Sequence, residues 1–266
     1  MIPIDDPDDP RIAVYRDVRE RDLVGRAGLF IAEGEVVLRH LIDSPRFETV
    51  SALLAEKRAQ KLAAVIAAAR PDAPVYVASQ AVLDAIAGFP LHRGILAVGR
   101  HAEPPSAEDL LAALPADALV LAPFGIGNHD NMGGLFRNAA AFGAAALVLD
   151  PTSCDPLYRK AIRVSVGAAL LVPFAKLAAE EDPIALFERQ GFEVIALSPS
   201  GRERLIDLKP ASKTVVLLGA EGPGLPDAVL ARCRTVRIPM AAGFDSLNVA
   251  TTSGIVLHHL ASARST

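Results

Sequence analysis

Thr214-Val215-Val216-Leu217-Leu218-Gly219-Ala220-Glu221-Gly222-Pro223-Gly224-Leu225 passes without a break from a β-branched apolar run into a glycine-rich loop that carries a single acid. A short apolar run bounded by glycine reads as a strand buried on both faces, the pattern of a parallel sheet. The loop that follows lets a ligand approach the backbone closely, and a helix is expected from Leu225 or Pro226. Gly219, Gly222 and Gly224 are spaced GxxGxG rather than the GxGxxG of a dinucleotide fingerprint, and no Walker lysine follows. Too little chain remains after the loop for a complete Rossmann half.

Working outward, short apolar runs at 118–122, 145–149, 169–172, 193–196 and 236–238 alternate with helical or turn segments and imply a mostly parallel sheet. Nearer the N-terminus the periodicity predicts helices at 33–42, 56–69 and 80–87 and strands at 50–54, 75–77 and 94–98, a compact α/β/α unit. Between the two, residues 101–117 hold Pro104, Pro105 and Pro115 around a short helix at 108–113, the composition of a linker. The 266 residues therefore read as an α/β protein with an N-terminal domain over 1–100 and a second domain over 118–266.

The formal charge of −4 gives no global attraction for a polyanion, so nucleic-acid contact must come from local basic patches. Asp5, Asp6, Asp8 and Asp9 make residues 1–10 an acidic, Pro-interrupted leader expected to be disordered. Cys154 and Cys233 stand far apart with no second thiol or histidine at ligand spacing, so neither a metal site nor a disulfide is expected. There is no signal-peptide pattern and no apolar stretch near the roughly 20 residues needed to span a bilayer; a cytoplasmic protein with no membrane partner is expected.

Two further stretches carry polar groups of interest. Asn131-Met132-Gly133 opens a helix, capped by Asn131 or Asp130, that runs to Phe142 and ends at Gly143. Leu135, Ala139 and Phe142 form its buried stripe, and Arg137 lies about 200° around the helix from Leu135, directed away from that stripe. Taken alone, this pair is better explained as a solvated surface arginine beside an asparagine used only as a cap. Ile238-Pro239-Met240 leads through a loop containing Gly243 and Asp245 to Ser246-Leu247-Asn248-Val249, where Ser246 is the expected N-cap of a helix over 246–262. Leu247, Val249, Ile255, Val256, Leu257 and Leu260 surround much of that helix, so a subunit interface could cover its second side.

Taken together, the three stretches resemble the SpoU/TrmH branch of the SPOUT RNA methyltransferases, matching N-x-G-x-x-x-R-x-A, L-G-x-E-x-x-G-L, I-P-M and S-L-N-V in order over residues 120–260. The segment from Asp155 to Ser165 also looks like the family's basic segment. The resemblance implies a C-terminal SPOUT-type knotted domain with a parallel sheet, S-adenosylmethionine as cofactor, a homodimer with the active site at the subunit interface, and a ribosomal-protein-like N-terminal domain that binds RNA. Ala32-Glu33-Gly34 and His92-Arg93-Gly94-Ile95-Leu96-Ala97 are markers of that N-terminal domain.

The activity implied is methyl transfer to a ribose 2′-hydroxyl of tRNA or rRNA. Arg137 is then the residue that activates the hydroxyl, Asn131 positions Arg137 or the ribose, and Glu221, Ser246 and Asn248 share the pocket. Leu218, Gly219, Glu221, Ile238, Met240 and Leu247 are implied for the cofactor. Arg159, Lys160 and Arg163, which can share a helix face, are implied for RNA, with Arg16, Arg19, Arg21 and Arg26 supplementing them. The chain departs from the pattern at Ala242, where many relatives have Gly, and at Ala250, where Ser is common. Two other readings stay open at this point, a nicotinamide-dependent oxidoreductase built on the glycine-rich loop and a catalytically silent RNA-binding protein of the same fold.

Overall fold

In a computed structural model, residues 1–16, 23–24, 28–88, 90–101, 103–242 and 246–264 are described. They form two compact units, Met1–Glu103 with Asp155–Leu171, and Pro104–Cys154 with Val172–Thr266. Arg19, Arg21 and Arg26, expected to supplement an RNA surface, lie outside the described residues, as do Gly243 and Asp245.

The first unit is built on strands β1 (Ile2–Ile4), β2 (Leu29–Glu33), β3 (Phe47–Ala55), β4 (Val75–Ala78) and β5 (Ile95–His101), in the order β1-β4-β3-β5-β2. β1, β4 and β3 run parallel, while β5 is antiparallel to β3 and β2. Helices α1 (Glu35–Asp43), α2 (Glu56–Ala69) and α3 (Gln80–Ala87) accompany the sheet. The acidic leader is not disordered. Ile2 and Ile4 alternate as an edge strand should, Ile4 is buried, and Pro3 is tolerated because the strand lies at the sheet margin. Asp9 then accepts the N–H of Arg11 and caps a 3-10 turn over Pro10–Tyr15 that buries Ile12 and Tyr15.

The second unit contains β6 (Ala118–Pro123), β7 (Ala146–Leu149), β8 (Phe174–Lys176), β9 (Glu193–Leu197), β10 (Glu203–Arg204), β11 (Lys213–Leu218) and β12 (Arg234–Arg237). The order is β10-β12-β9-β11-β6-β7-β8, with every pairing parallel. The run that decided the fold, β11, sits between β9 and β6, and Val215, Val216 and Leu217 are fully buried. Val215 and Leu217 join Val120, Ala122 and Phe187 in one core. Val216 takes the alternate direction and is buried too, which is why the strand reads as a continuous apolar run.

Its helices are α4 (Ala107–Ala112), α5 (His129–Ala141), α7 (Pro183–Arg189), the four-residue α8 (Asp227–Leu230) and α9 (Val249–Arg264); α6 (Arg159–Val164) belongs to the first unit. The expected linker is therefore part of a core, because Ala107, Leu110 and Leu111 of α4 pack with the second sheet and the unit boundary falls after Glu103. The expected domain boundary also changes at Asp155–Leu171. There α6 packs on β2, and Gly167, at φ +82°, lets the chain approach Val37 and His40 of α1. A strand was expected at 169–172, but that left-handed glycine turns the chain into a 3-10 turn, Ala168–Leu170, and the strand begins beyond Pro173.

α9 packs against α5 through small residues. A Cβ added at Gly134 would lie 2.6 Å from the Ala250 Cβ, and Asn138 donates to the Ala250 carbonyl (2.6 Å) and to Ser253 Oγ (2.9 Å). Beyond, Arg264 donates to the carbonyls of Ala211 and Ser212 (both 2.9 Å) and pairs with Asp117 (3.0 Å), fastening the far end of α9 to the entrances of β6 and β11. Gly134→Val is expected to force the helices apart and lower unfolding stability by about 1–3 kcal/mol. Gly127→Ala, with open space at the added Cβ, should stay within about 0.5 kcal/mol in the same denaturant titration.

Candidate active site

Because β9, β11 and β12 are parallel neighbours, their carboxyl ends open on one edge of the sheet, and the later strand β11 inserts between β9 and β6. Open α/β sheets place ligands at such a reversal of strand order. Here the edge holds a cleft of about 660 Å³, bounded by the segments after β9, β11 and β12 and by the start of α9. Leu218, Gly219, Ile238, Met240 and Leu247, expected at a cofactor, all line it, as do Glu221, Ser246 and Asn248.

The glycine-rich loop folds back on itself. The N–H of Gly224 donates to the carbonyl of Ala220 (3.1 Å), and Gly222 and Gly224 adopt φ +88° and +68°. A Cβ at Gly219 would meet the backbone carbon of Gly224 at 2.3 Å, so no other residue fits there without moving the loop. The following helix, α8, has only four residues and begins at Asp227, not at Leu225 or Pro226. This closed turn is unlike the long helix N-terminus on which a dinucleotide pyrophosphate rests.

Three segments meet at Glu221. The amide nitrogen of Asn131 donates to its Oε1 (2.9 Å), and that of Asn248 donates both to the same oxygen (3.1 Å) and to Asn131 Oδ1 (2.8 Å). Asn131 is free for this because the cap of α5 is Asn128, whose Oδ1 accepts the N–H of Asp130 (2.8 Å), and not Asn131 or Asp130 as expected. Asn248 also caps α9, accepting the N–H groups of Ala250 (2.9 Å) and Thr251 (3.2 Å); Ser246 was expected there, but α9 starts at Val249. One side chain thus fixes a helix start and holds an acid, since its oxygen serves the backbone while its nitrogen serves the carboxylate.

Not every expected residue gathers here. Arg137 is exposed on α5 and does not line this chain's cleft. It lies six residues past Asn131, about 9 Å along the helix and 240° around it. Arg159, Lys160 and Arg163 lie on α6, in the first unit. Arg159 is held 3.1 Å from the buried Glu33; Lys160 and Arg163 are exposed. The structure adds Ser198, Ser200, Asp227 and Thr252 to the cleft wall. Their contribution depends on β9 lying beside β11 and α9 returning to the same edge, which no local pattern announces.

The model of the SpoU rRNA methylase family matches residues 118–258. The chain belongs to that family. Two relatives, uncharacterized tRNA/rRNA methyltransferases of Mycobacterium bovis and of Mycobacterium tuberculosis, are each 37% identical over 262 residues, covering 95% of this chain and 89% of theirs. An AdoMet-bound rRNA methyltransferase from Sinorhizobium meliloti superposes with a TM-score of 0.81 at 22% identity, over 99% of this chain and 97% of that one. An RNA 2'-O ribose methyltransferase gives 0.78 at 22% identity over the whole of both chains. These likenesses establish the SpoU-type fold for the chain.

The acid cluster carries a measurable signature. Asn131→Ala removes a donor to a carboxylate and should cost about 1.5–3 kcal/mol. Asn131→Asp places a second carboxylate against Glu221 and should be less stable still at pH 7. That extra deficit should shrink toward pH 4, as protonation of one of the pair removes the repulsion. Urea titrations of both variants at the two pH values check this.

Proposed function

We propose that this SpoU-family protein transfers a methyl group from S-adenosylmethionine to a ribose 2′-hydroxyl of tRNA or rRNA, acting as a cytoplasmic homodimer. The observation that carries the reading is the cleft off β9, β11 and β12, where the residues expected for the cofactor border one cavity together with Glu221 and Asn248, both hydrogen-bonded to Asn131. Its size falls in the range of small-molecule sites. Aliphatic walls at Leu218, Ile238, Met240 and Leu247 suit an adenine ring, and the carboxylates of Glu221 and Asp227 suit a cationic ligand. The residues present therefore fit the cofactor, which when bound supplies a methyl group already activated on sulfur.

The chain's own task is to orient a hydroxyl and manage its proton. A guanidinium is a fixed charge and a forked donor, better suited to orienting the hydroxyl and its neighbouring phosphate, and to stabilising alkoxide charge as it develops, than to taking a proton. Arg137 takes that role from a second protomer, since within one chain it does not border the cleft. The half-exposed apolar residues Leu247 and Ile255, at and on α9, support such a pairing. Asn131 and Asn248 keep Glu221 fixed in the pocket wall. The deep trefoil knot that the family resemblance implies at the C-terminus belongs to this reading.

Arg137→Ala is expected to abolish methyl incorporation into RNA while S-adenosylmethionine binding, read by calorimetry, stays within a few-fold of wild type. Full turnover by this variant would remove Arg137 from the mechanism. Gly219→Ala should show the reverse order of loss, with binding failing first because the loop must shift to admit the methyl group.

A further inference from the structure

The first unit has a second cavity, about 350 Å³, at the end of its sheet where β3 begins and β5 ends. Three arginines and one acid line it. Arg46 comes from the turn after α1, Arg70 from the C-terminal cap of α2, and Arg100 from β5, opposite Glu48 of β3. In a chain with a net charge of −4, three guanidinium groups converging on one cavity require an explanation.

Structural roles account for part of them. Arg70 Nη2 donates to the Ser44 carbonyl (2.9 Å), Arg46 Nη2 donates to the Leu170 carbonyl (2.8 Å), and Arg46 also lies over the Phe47 ring, 5.1 Å from its centre. The buried Nε of Arg70, however, finds no acceptor among the described residues. Burial also lowers the pKa of Arg46, because desolvation disfavours its charged form. Arg100 pairs with Glu48 (2.8 Å), but both side chains are about half exposed, and such a rim pair adds little stability and exchanges readily.

We propose that this cavity is a phosphate subsite, in which Arg46, Arg70 and Arg100 take one backbone phosphodiester of the RNA substrate. It rests on the reading that RNA is the substrate. Three guanidinium groups and one carboxylate among the described residues of the wall give the cavity a mainly cationic lining, the complement of a phosphodiester. Guanidinium groups match phosphate oxygens with paired donors. Among the described residues of the wall the one aromatic ring, Phe47, is 3% exposed and offers little surface for a base to stack on, so the cavity positions the backbone without reading sequence.

The test uses the full-length protein, a fluorescently labelled tRNA transcript and an rRNA fragment, titrated at several salt concentrations. Losing one phosphate contact lowers the slope of log affinity against log salt by about one and weakens binding about fivefold at 0.15 M salt. Arg70→Gln and Arg100→Gln should each do so. Glu48→Gln should tighten binding, a gain that a damaged fold does not produce. Unchanged affinity and slope in both arginine variants, or weaker binding in Glu48→Gln, would overturn the proposal. A parallel titration with inorganic phosphate separates the sources. Arginine variants that lose phosphate binding while holding RNA as the wild type does would assign the cavity to a small anion and refute the RNA subsite. Wild-type methyl transfer is measured alongside. A wild type that binds RNA through these arginines but methylates nothing refutes the proposed activity alone, and one that methylates while every variant binds normally refutes only the subsite.

Discussion

The second unit depends on a single carboxylate held by two asparagines. Glu221 stands on the loop after β11, Asn131 in the first turn of α5 and Asn248 at the start of α9, so one hydrogen-bonded cluster ties together segments 90 and 117 residues apart from Asn131. A carboxylate can only accept, which obliges both amides to turn their nitrogens toward it. The oxygen of Asn248 is then left for the helix N-terminus, and the oxygen of Asn131 for Asn248. With these orientations set, the glycine loop, the helix start and the cleft wall share one geometry.

Close approach then does what side chains cannot. Gly219 lets the loop fold back on Gly224, and Gly134 lets α5 meet α9 at Ala250. The Ala250 methyl group would lie 2.6 Å from a Cβ on Gly134, so this close approach requires glycine on α5. Asn138 bridges the same contact to Ser253, so the two helices are fixed by polar bonds as well as by fit. These contacts place the end of the chain beside the cleft.

Helices 56–69 and 80–87 were legible to the residue, because strong periodicity met clear ends, and the parallel sheet was legible from β6, β9 and β11, whose two-sided burial leaves continuous apolar runs. That residues 218, 219, 238, 240 and 247 would gather was legible through motif resemblance, and they fall in the wall of one cleft. The leader was misread because its four aspartates outweigh Ile2 and Ile4 in composition, although the two isoleucines decide the packing. The caps were misread because Asn128, Asp130 and Asn131 are all competent, and only the distant Glu221 decides which side chain is drawn away. Strand order was hidden for the same reason. It depends on contacts between remote segments, and Ser198, Ser200 and Asp227 reach the cleft only through it.

The excursion of Asp155–Leu171 has a consequence for how the halves can be parted. The chain crosses between the units after Glu103, after Cys154 and again after Leu171, so they are joined by three covalent strands of backbone. A protease that nicks the chain after Glu103 therefore liberates neither half, since the downstream fragment still carries α6, docked on β2, within the first unit. Gene fusion or exchange at that single junction would strand α6 without its partner, which makes the two halves an inseparable inheritance and not interchangeable modules.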